Sequence, residues 1–256
     1  MIVRRNAAEL EKMQRAGLLV WKVLSRLKGM VQGGVTTLDL EIEAEKMIRD
    51  AGARPAFKGY FVPAVGQKYP FVLCTSVNEE IIHGMPSAKR VLKKGDVVSV
   101  DTGAELNGYF GDSAVTIPVG EVSEETKKLL RVTEEALELA IRQARPGNRL
   151  FDISGAVQKH VESNGFNVVR EYVGHGIGTR LHEEPQVPNY VDPRSENPRL
   201  KEGMVLAIEP MVNAGRPESR VLPDRWTAVA KDGKYSAHFE HCVAVTADGP
   251  WVLTRP

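Results

Sequence analysis

Residues 96–118 read DVVSVDTGAELNGYFGDSAVTIP, and this stretch decides how the central part of the chain folds. Two runs rich in β-branched residues flank Asn107-Gly108, a dipeptide that favours a two-residue hairpin turn because both positions tolerate positive φ. With the turn there, Gly103 pairs with Asp112, and Asp101 becomes a diagonal neighbour of Asp112 on one face. Adjacent carboxylates repel each other, and a cation between them relieves that repulsion. Taken alone, the pair fits two ordinary turn-flanking aspartates equally well.

Two similar groups of helices surround this hairpin. Apolar spacing predicts helices over 7–30 and 37–50 before it, and over 124–144 and 151–163 after it. With an offset of 113 residues, the second group can be laid on the first, matching Gly34 to Gly147, Asp39 to Asp152 and Gly52 to Gly165. The repeat predicts one α/β (α+β) domain, residues 1–256, with two pseudo-symmetric halves at about 7–118 and 122–250.

Composition restricts the class of protein. The chain has 256 residues, 42% of them hydrophobic, and a formal net charge of +1, which argues against disorder, direct nucleic-acid binding and attraction to anionic membranes. No run approaches the roughly 20 apolar residues of a membrane span, and no signal peptide is recognisable. Cys74 and Cys242 are expected to be unbonded, as is common in a reducing compartment. We therefore expect a cytoplasmic protein.

Three further residues could take part in chemistry. His175 lies in the glycine-rich stretch Gly174–Gly178, where the backbone can approach a ligand closely. Glu209 follows the apolar run 205–208, and Glu240 precedes another apolar strand; a charge at the inner end of a buried strand needs a partner. Taken singly, each of the three could equally be an ordinary polar residue that is hydrogen-bonded within the protein or faces solvent, without a functional role.

Together, these segments supply four carboxylates and one imidazole. Such a set suits Mn²⁺, Fe²⁺ or Co²⁺, also accepts Zn²⁺, and can hold two ions about 3.5–4 Å apart when two carboxylates bridge them. It does not resemble a structural zinc site. The sequence contains no P-loop, no Gly-x-Ser-x-Gly elbow and no dinucleotide fingerprint after a strand. The pattern therefore indicates a two-metal hydrolase.

Several motifs resemble those of type I methionine aminopeptidases in order and along nearly the whole chain. The motifs are SVNEEIIHGMP (76–86), DVVSVDTG (96–103), GDSAVT (111–116), GHGIGTRLHEEPQVPN (174–189), GMVLAIEPMV (203–212) and SAHFEHCVAVT (236–246). The resemblance implies the pita-bread fold, an antiparallel sheet covered by helices. It also implies removal of the initiator methionine from nascent proteins whose second residue is small. The implied metal ligands are Asp101, Asp112, His175, Glu209 and Glu240, with Asp112 and Glu240 bridging two divalent ions.

The same resemblance implies roles beyond the ligands. His83, His182 and Glu209 would be catalytic, with Glu209 moving the proton and both histidines contacting substrate. Four residues match positions that line the methionine pocket: Tyr60, Tyr69, Cys74 and Trp226. Asn78 and Ser236 match positions near a monovalent-cation site (Na⁺ or K⁺) that some members have. Nascent polypeptide N-termini are the implied partners, together with ribosome association, and we expect a monomer.

The sequence departs from the commonest family pattern at four places. The loop Phe61–Lys68 is longer than in compact bacterial members, and Leu181 stands where an aromatic residue often occurs. His238 replaces a frequent glutamine, and Cys242 a frequent threonine. We expect none of these to touch a metal ligand. Two alternatives remain: an Xaa-Pro peptidase, although such enzymes usually carry a large N-terminal domain, and a pita-bread protein that binds without catalysing.

Overall fold

The computed structural model describes residues 2–63 and 65–256; Met1, and Ala64 of the loop Phe61–Lys68, lie outside the described residues. Four helices are present in the described chain: α1 (Ala7–Met30), α2 (Thr37–Asp50), α3 (Glu124–Gln143) and α4 (Leu150–Ser163). All four match the helices predicted from apolar spacing to within one residue. None of the described helices has the length and apolarity needed to cross a membrane.

The residues matched by the offset of 113 adopt matching conformations. Asp39 and Asp152 each sit three positions after an N-cap and accept a hydrogen bond from its backbone N–H, at 2.8 Å from Thr36 and 2.7 Å from Arg149. Gly34 and Gly147, which precede these caps, have φ of 95° and 93°. The glycines after α2 and α4 are also left-handed, with φ of 70° and 85°. The exact division into halves 7–118 and 122–250 within a single domain remains a prediction.

Short strands make up the rest of the regular structure. In chain order they are β1 (Arg54–Pro55), β2 (Phe61–Val62), β3 (Gln67–Lys68), β4 (Leu73–Val77), β5 (Glu80–Ile82), β6 (Val97–Leu106), β7 (Tyr109–Pro118), β8 (Asn167–Val168), β9 (Gly174–Gly176), β10 (Glu183–Val187), β11 (Val205–Ile208), β12 (Met211–Asn213), β13 (Ser219–Val221), β14 (Ala228–Ala230), β15 (Ser236–His238), β16 (Glu240–Thr246) and β17 (Gly249–Val252). The main sheet has the order β1-β6-β7-β16-β11-β9-β10, with β4 added beside β6 and β17 beside β16. Its paired strands are antiparallel.

The hairpin β6–β7 forms with the predicted register. Asn107 and Gly108 make the turn with φ of 54° and 84°, the positive values that a type I′ turn requires. Gly103 pairs with Asp112, and Asp101 pairs with Ala114. The local turn chemistry is therefore sufficient to set the relative position of the two aspartates.

Each pair of helices covers its own hydrophobic core. Side chains of α1 and α2, such as Leu27 and Leu40, pack with β4 and β6, and side chains of α3 and α4 pack with β11 and β16. The two groups of strands meet in the main sheet where β7 pairs with β16. This mixed α/β arrangement, an antiparallel sheet with four helices, agrees with the predicted fold class.

Candidate metal centre

The main sheet brings the five predicted ligands to one region. Asp101 and Glu240 both pair with Ala114, one from each side, so they lie in the same row across three strands. On the far side of β16, His175 of β9 pairs with β11, and Glu209 directly follows the last residue of β11. Each ligand candidate thus belongs to a strand or strand end of one contiguous stretch of the sheet.

Measured distances confirm that several of these side chains face each other. One ligand atom each from Asp112, His175 and Glu240 lies within 4.8 Å of the others, as a metal-binding group requires. His175 Nε2 is 3.9 Å from Asp112 Oδ2 and 3.7 Å from Glu209 Oε1. Asp101 is close enough to Asp112 and Glu209 for their charges to affect its ionisation. All five predicted ligands therefore lie in one cluster.

Burial and crowding disfavour the charged forms of this cluster when it is taken without a cation. Burial raises the pKa of Asp112 to about 7. Burial, reinforced by the neighbouring carboxylates, raises the pKa values of Asp101, Glu209 and Glu240 well above their ordinary range. Burial lowers the pKa of His175 to about 3, which keeps its imidazole neutral and able to coordinate a cation.

The donor set fits a divalent cation. Asp101 Oδ1, Asp112 Oδ1 and Glu240 Oε1 are buried and have no hydrogen-bond partner among the described residues. In the described part of the chain, no lysine or arginine lies within 4.0 Å of these carboxylates or of Glu209. The basic side chains within that distance are His175, beside Asp112 and Glu209, and His238, beside Glu209, and burial lowers the pKa of both imidazoles to about 3. Buried anionic oxygens left in this way carry a large desolvation cost that a bound cation would offset.

Two further histidines border the cluster. The ring of His182 lies 4.4 Å from the ring of His175, and its Nδ1 is 2.7 Å from the hydroxyl of Tyr60. His83 is half-buried, and loss of solvation lowers its pKa to about 4, with a smaller contribution from His182. Burial also lowers the pKa of His182. His182 thus lies against the ligand candidate His175, and His83 lies near His182 and His238.

Three of the four predicted pocket residues form an aromatic cluster. Tyr69, Cys74 and Trp226 pack together, with Phe57, Phe71 and Met85 among the partly buried side chains around them. Tyr69 and Trp226 meet edge to face at 5.1 Å between ring centroids, and the Tyr69 hydroxyl donates to the carbonyl of Leu73 at 2.9 Å. Cys74 pairs with Asp101 across β4 and β6, so this cluster borders the carboxylates. Tyr60 lies apart from it, against His182.

Comparison with known proteins settles the family. The model of metallopeptidase family M24 matches residues 11–247. The chain is 51% identical to methionine aminopeptidase 1 of Bacillus subtilis over all of both chains, and 47% identical to a methionine aminopeptidase of Aquifex aeolicus over 96% of each. The chain belongs to the methionine aminopeptidases of metallopeptidase family M24.

Solved structures agree with this family. The crystal structure of methionine aminopeptidase from Thermotoga maritima superposes with a TM-score of 0.95 at 46% identity, covering both chains completely. The prolidase from Pyrococcus furiosus superposes with a TM-score of 0.77 at 24% identity and matches 66% of that chain. The second likeness concerns the fold alone, and together they confirm the predicted pita-bread architecture.

Two departures from the usual family pattern touch metal-ligand candidates, and our expectation that none would is wrong. His238 is buried, and its Nε2 lies 3.5 Å from Glu209 Oε2. Cys242 Sγ contacts the backbone of Asp112, at 3.1 Å from its carbonyl oxygen and 3.3 Å from its nitrogen. Sequence order hid these contacts because they join strand ends far apart in the chain. Cys74 and Cys242 are both free thiols, as expected.

Leu181 and the predicted monovalent-cation position can also be located. Leu181 is buried in the small core that contains Ile177 and Val205. The backbone carbonyl of Asn78 accepts a hydrogen bond from the Ser236 N–H at 2.8 Å, while the Asn78 side chain bonds Asp96 and Val97. The side chain of Asn78 is therefore already occupied, and a cation there remains a prediction.

Proposed function

We propose that this chain is a metal-dependent methionyl aminopeptidase that removes the initiator methionine from nascent proteins when the second residue is small. The observation that carries the proposal is the cluster of buried, unpartnered carboxylate oxygens around His175, beside the pocket of Tyr69, Cys74 and Trp226. The membership of the chain in the methionine aminopeptidases supports the same conclusion.

Two divalent ions would be held by the five clustered side chains: Asp101, Asp112, His175, Glu209 and Glu240. When bound, such ions lower the pKa of a water toward neutrality and hold the free α-amino group of a substrate. The need for a free amino group would restrict cleavage to the first residue of a chain. The neutral state of His175 and the acceptor-only carboxylates suit this role.

The residues around the ligands supply the remaining steps. Glu209 would take a proton from the attacking water and deliver it to the leaving amine. Its carboxylate lies within the ligand cluster, 3.7 Å from His175 and 3.5 Å from His238. His182 donates a hydrogen bond to the oxyanion that develops on the scissile carbonyl. Its Nδ1 is directed to the Tyr60 hydroxyl, so Nε2 is the nitrogen left for substrate. His83 contacts the scissile amide and orients it.

The substrate side chain would be bound by the aromatic cluster. A thioether makes favourable contacts with aromatic ring edges and with polarisable sulfur, both of which Tyr69, Trp226 and Cys74 provide. Tyr60, which packs edge to face against His182 and outside this cluster, would contact the substrate from the side of His182. A second substrate residue larger than valine would crowd the ligands, which gives the preference for small residues.

The remaining features of this function are proposals at a finer level. The divalent ions are Co²⁺, Mn²⁺, Fe²⁺ or Zn²⁺, all of which oxygen-rich sites accept, and one monovalent cation lies near Asn78 and Ser236. The protein acts as a monomer in the cytoplasm and associates with ribosomes, where nascent N-termini first become available. The free thiols of Cys74 and Cys242 suit a reducing compartment.

One assay tests the proposal. Metal-free protein is reconstituted with Mn²⁺, Fe²⁺, Co²⁺ or Zn²⁺. Each sample is incubated with Met-Gly-Met and, separately, with an Xaa-Pro peptide whose first residue is not methionine. We expect release of methionine from Met-Gly-Met with at least one metal and none without metal. Cleavage confined to the Xaa-Pro peptide would assign the rival peptidase activity, and inactivity with every metal would favour a binding module.

A further inference from the structure

The segment before α1 lies against the loop that carries His182. Arg5 donates its backbone N–H to the carbonyl of Gly203 at 2.6 Å, and the Arg4 side chain donates to the carbonyl of Glu202, also at 2.6 Å. These bonds fix the direction of the segment. The Arg5 side chain then extends toward residues 178–183, which we call the histidine loop.

Arg5 forms a nearly buried ion pair with Glu183. Its Nη2 lies 2.7 Å from each carboxylate oxygen of Glu183, and the two side chains are 7% and 5% exposed. The other terminal nitrogen lies 3.6 Å from Glu9, a more exposed carboxylate. A pair this well buried is costly to break from one side, because the remaining charge is left without compensation.

The same carboxylate closes the histidine loop on itself. Glu183 Oε1 accepts the backbone N–H of Thr179 at 2.9 Å and that of Arg180 at 3.1 Å. Arg5 therefore fixes the Glu183 carboxylate, which in turn accepts the hydrogen bonds from the backbone of the histidine loop. These contacts connect residue 5 to residues 179–183, which no local sequence pattern would bring together.

Gly178 provides the space that this arrangement needs. A Cβ at Gly178 would lie 2.1 Å from Arg5 Nη2 and 2.7 Å from Arg5 Cζ, far inside contact distance. The guanidinium thus packs directly against the backbone of Gly178. The carbonyl of Gly178 accepts from Phe110 N–H at 2.9 Å, which anchors the start of the loop to β7.

His182 directly precedes Glu183, so contacts that fix the backbone at residue 183 also restrict the backbone that carries the imidazole. The ring of His182 faces His175 on one side and Tyr60 on the other. His182 is itself exposed, and its described side-chain hydrogen bond is the one to Tyr60. Few contacts hold the ring itself, and the Arg5–Glu183 pair supports the backbone that carries it.

We propose that Arg5 and Glu183 are positioning residues that hold the histidine loop, and hence His182, in place to contact the substrate. The inference rests on the proposed function, because it assumes that His182 contacts the reacting carbonyl. Neither residue touches substrate or metal. Their contribution should therefore appear in turnover through His182, and metal binding should be unaffected.

A double-mutant cycle on Met-Gly-Met tests the proposal. Arg5→Ala and Glu183→Gln should each lower kcat by about tenfold, with KM and bound metal changed by less than about twofold. In the His182→Ala background, the same substitutions should change kcat by less than about twofold, because the group they position is gone. Arg5→Lys retains the charge with fewer donors and should recover part of the lost kcat.

Arg4→Ala is the matched control. It removes a side-chain bond of the same segment to the backbone of Glu202 but leaves the histidine loop untouched, so kcat should equal that of the unaltered protein. A readout independent of activity is hydrogen exchange in the metal-free protein. The amides of Thr179 and Arg180 should exchange about tenfold faster, or more, in Arg5→Ala and Glu183→Gln than in Arg4→Ala.

The outcomes separate the two proposals. If kcat falls equally in both backgrounds, or if neither kcat nor exchange changes, the positioning role is wrong while the proposed function stands. If the unaltered protein does not cleave Met-Gly-Met, the proposed function itself fails. If it does, but His182→Ala has full turnover, the role of His182 fails and the positioning proposal fails with it. Should Arg5→Ala not fold, Arg5→Lys and Glu183→Gln carry the same cycle.

Discussion

The metal cluster and the histidine loop lie side by side, yet different interactions hold them. The cluster is built into the main sheet: β6 and β7 pair along their full length, and β9, β11 and β16 continue the ladder. The histidine loop between β9 and β10 has backbone anchors near its ends, where Gly178 accepts from Phe110 and Glu183 pairs with Gly176. Between these anchors, the Glu183 carboxylate, paired with Arg5, accepts from the amides of Thr179 and Arg180. Backbone ladders therefore position the ligands, whereas the loop that carries the substrate contact also depends on a side-chain ion pair.

This difference predicts two kinds of loss. Changes in the cluster should remove metal and activity together, because the ligands share one set of ions. Changes in the histidine loop should reduce turnover while the metals stay bound. The substitutions below test that separation, in order of decreasing expected effect.

Replacement of the single imidazole ligand should have the largest effect. In His175→Ala, we expect loss of most bound metal and a fall in turnover of about three orders of magnitude or more. The effect should be this large because groups that act as a unit lose their contribution together. Metal content by elemental analysis and turnover on Met-Gly-Met measure this. His160→Ala, on α4 and paired with Glu135, is the control and should retain both. Full metal content with full turnover in His175→Ala would remove it from the ligand set.

Replacement of the proton-transferring carboxylate should come next. Glu209→Gln retains the shape of the side chain but not its basicity, so turnover should fall by about 10²–10³-fold. Glu138→Gln, a carboxylate paired with Arg255 away from the site, should have no comparable effect. Near-full turnover of Glu209→Gln with metal bound would show that another group moves the proton.

Removal of the substrate-contacting histidine separates the two regions directly. In His182→Ala, turnover should fall by about 10²-fold because one hydrogen-bond donor to the oxyanion is lost. The metal content should equal that of the unaltered protein, since no ligand is changed. Loss of metal in this variant would place His182 in the cluster and abolish the distinction drawn above.

The smallest effect should come from the turn that sets the register of the cluster. Gly108 has φ of 84°, so Gly108→Ala strains the backbone and should lower the free energy of unfolding by about 1 kcal/mol. Gly155 lies within α4, where a Cβ would meet Val191 at an ordinary 3.6 Å, and Gly155→Ala should stabilise slightly. Denaturant unfolding measures both. Equal stability of the two variants would mean that the turn tolerates a side chain.

The sequence was sufficient wherever the determining interaction is local. The Asn107-Gly108 turn and the helix periodicity act within a few residues, and both were predicted. The equivalence of Asp39 and Asp152 was also predicted, although their capping role was not. The contact of His238 with Glu209 and the ion pair of Arg5 with Glu183 were not. The ion pair joins residues 178 positions apart. Its one local sign in the sequence is Gly178, and a glycine there suggests backbone freedom, whereas the structure shows that the missing Cβ makes room for the guanidinium.

The meeting of β7 and β16 has a mechanical consequence. In the main sheet, the strands that follow α2 and those that follow α4 join where Ala114 pairs with Glu240 and Ser113 with His241. Asp101 and Asp112 lie on one side of this join, and the other three ligand candidates come from strands beyond it. Bound ions would therefore cross-link the two groups of strands. If the β7–β16 pairing were pulled apart, the force needed to separate the strands would rise with metal affinity. The ions that serve hydrolysis would thus also determine the mechanical strength of the sheet.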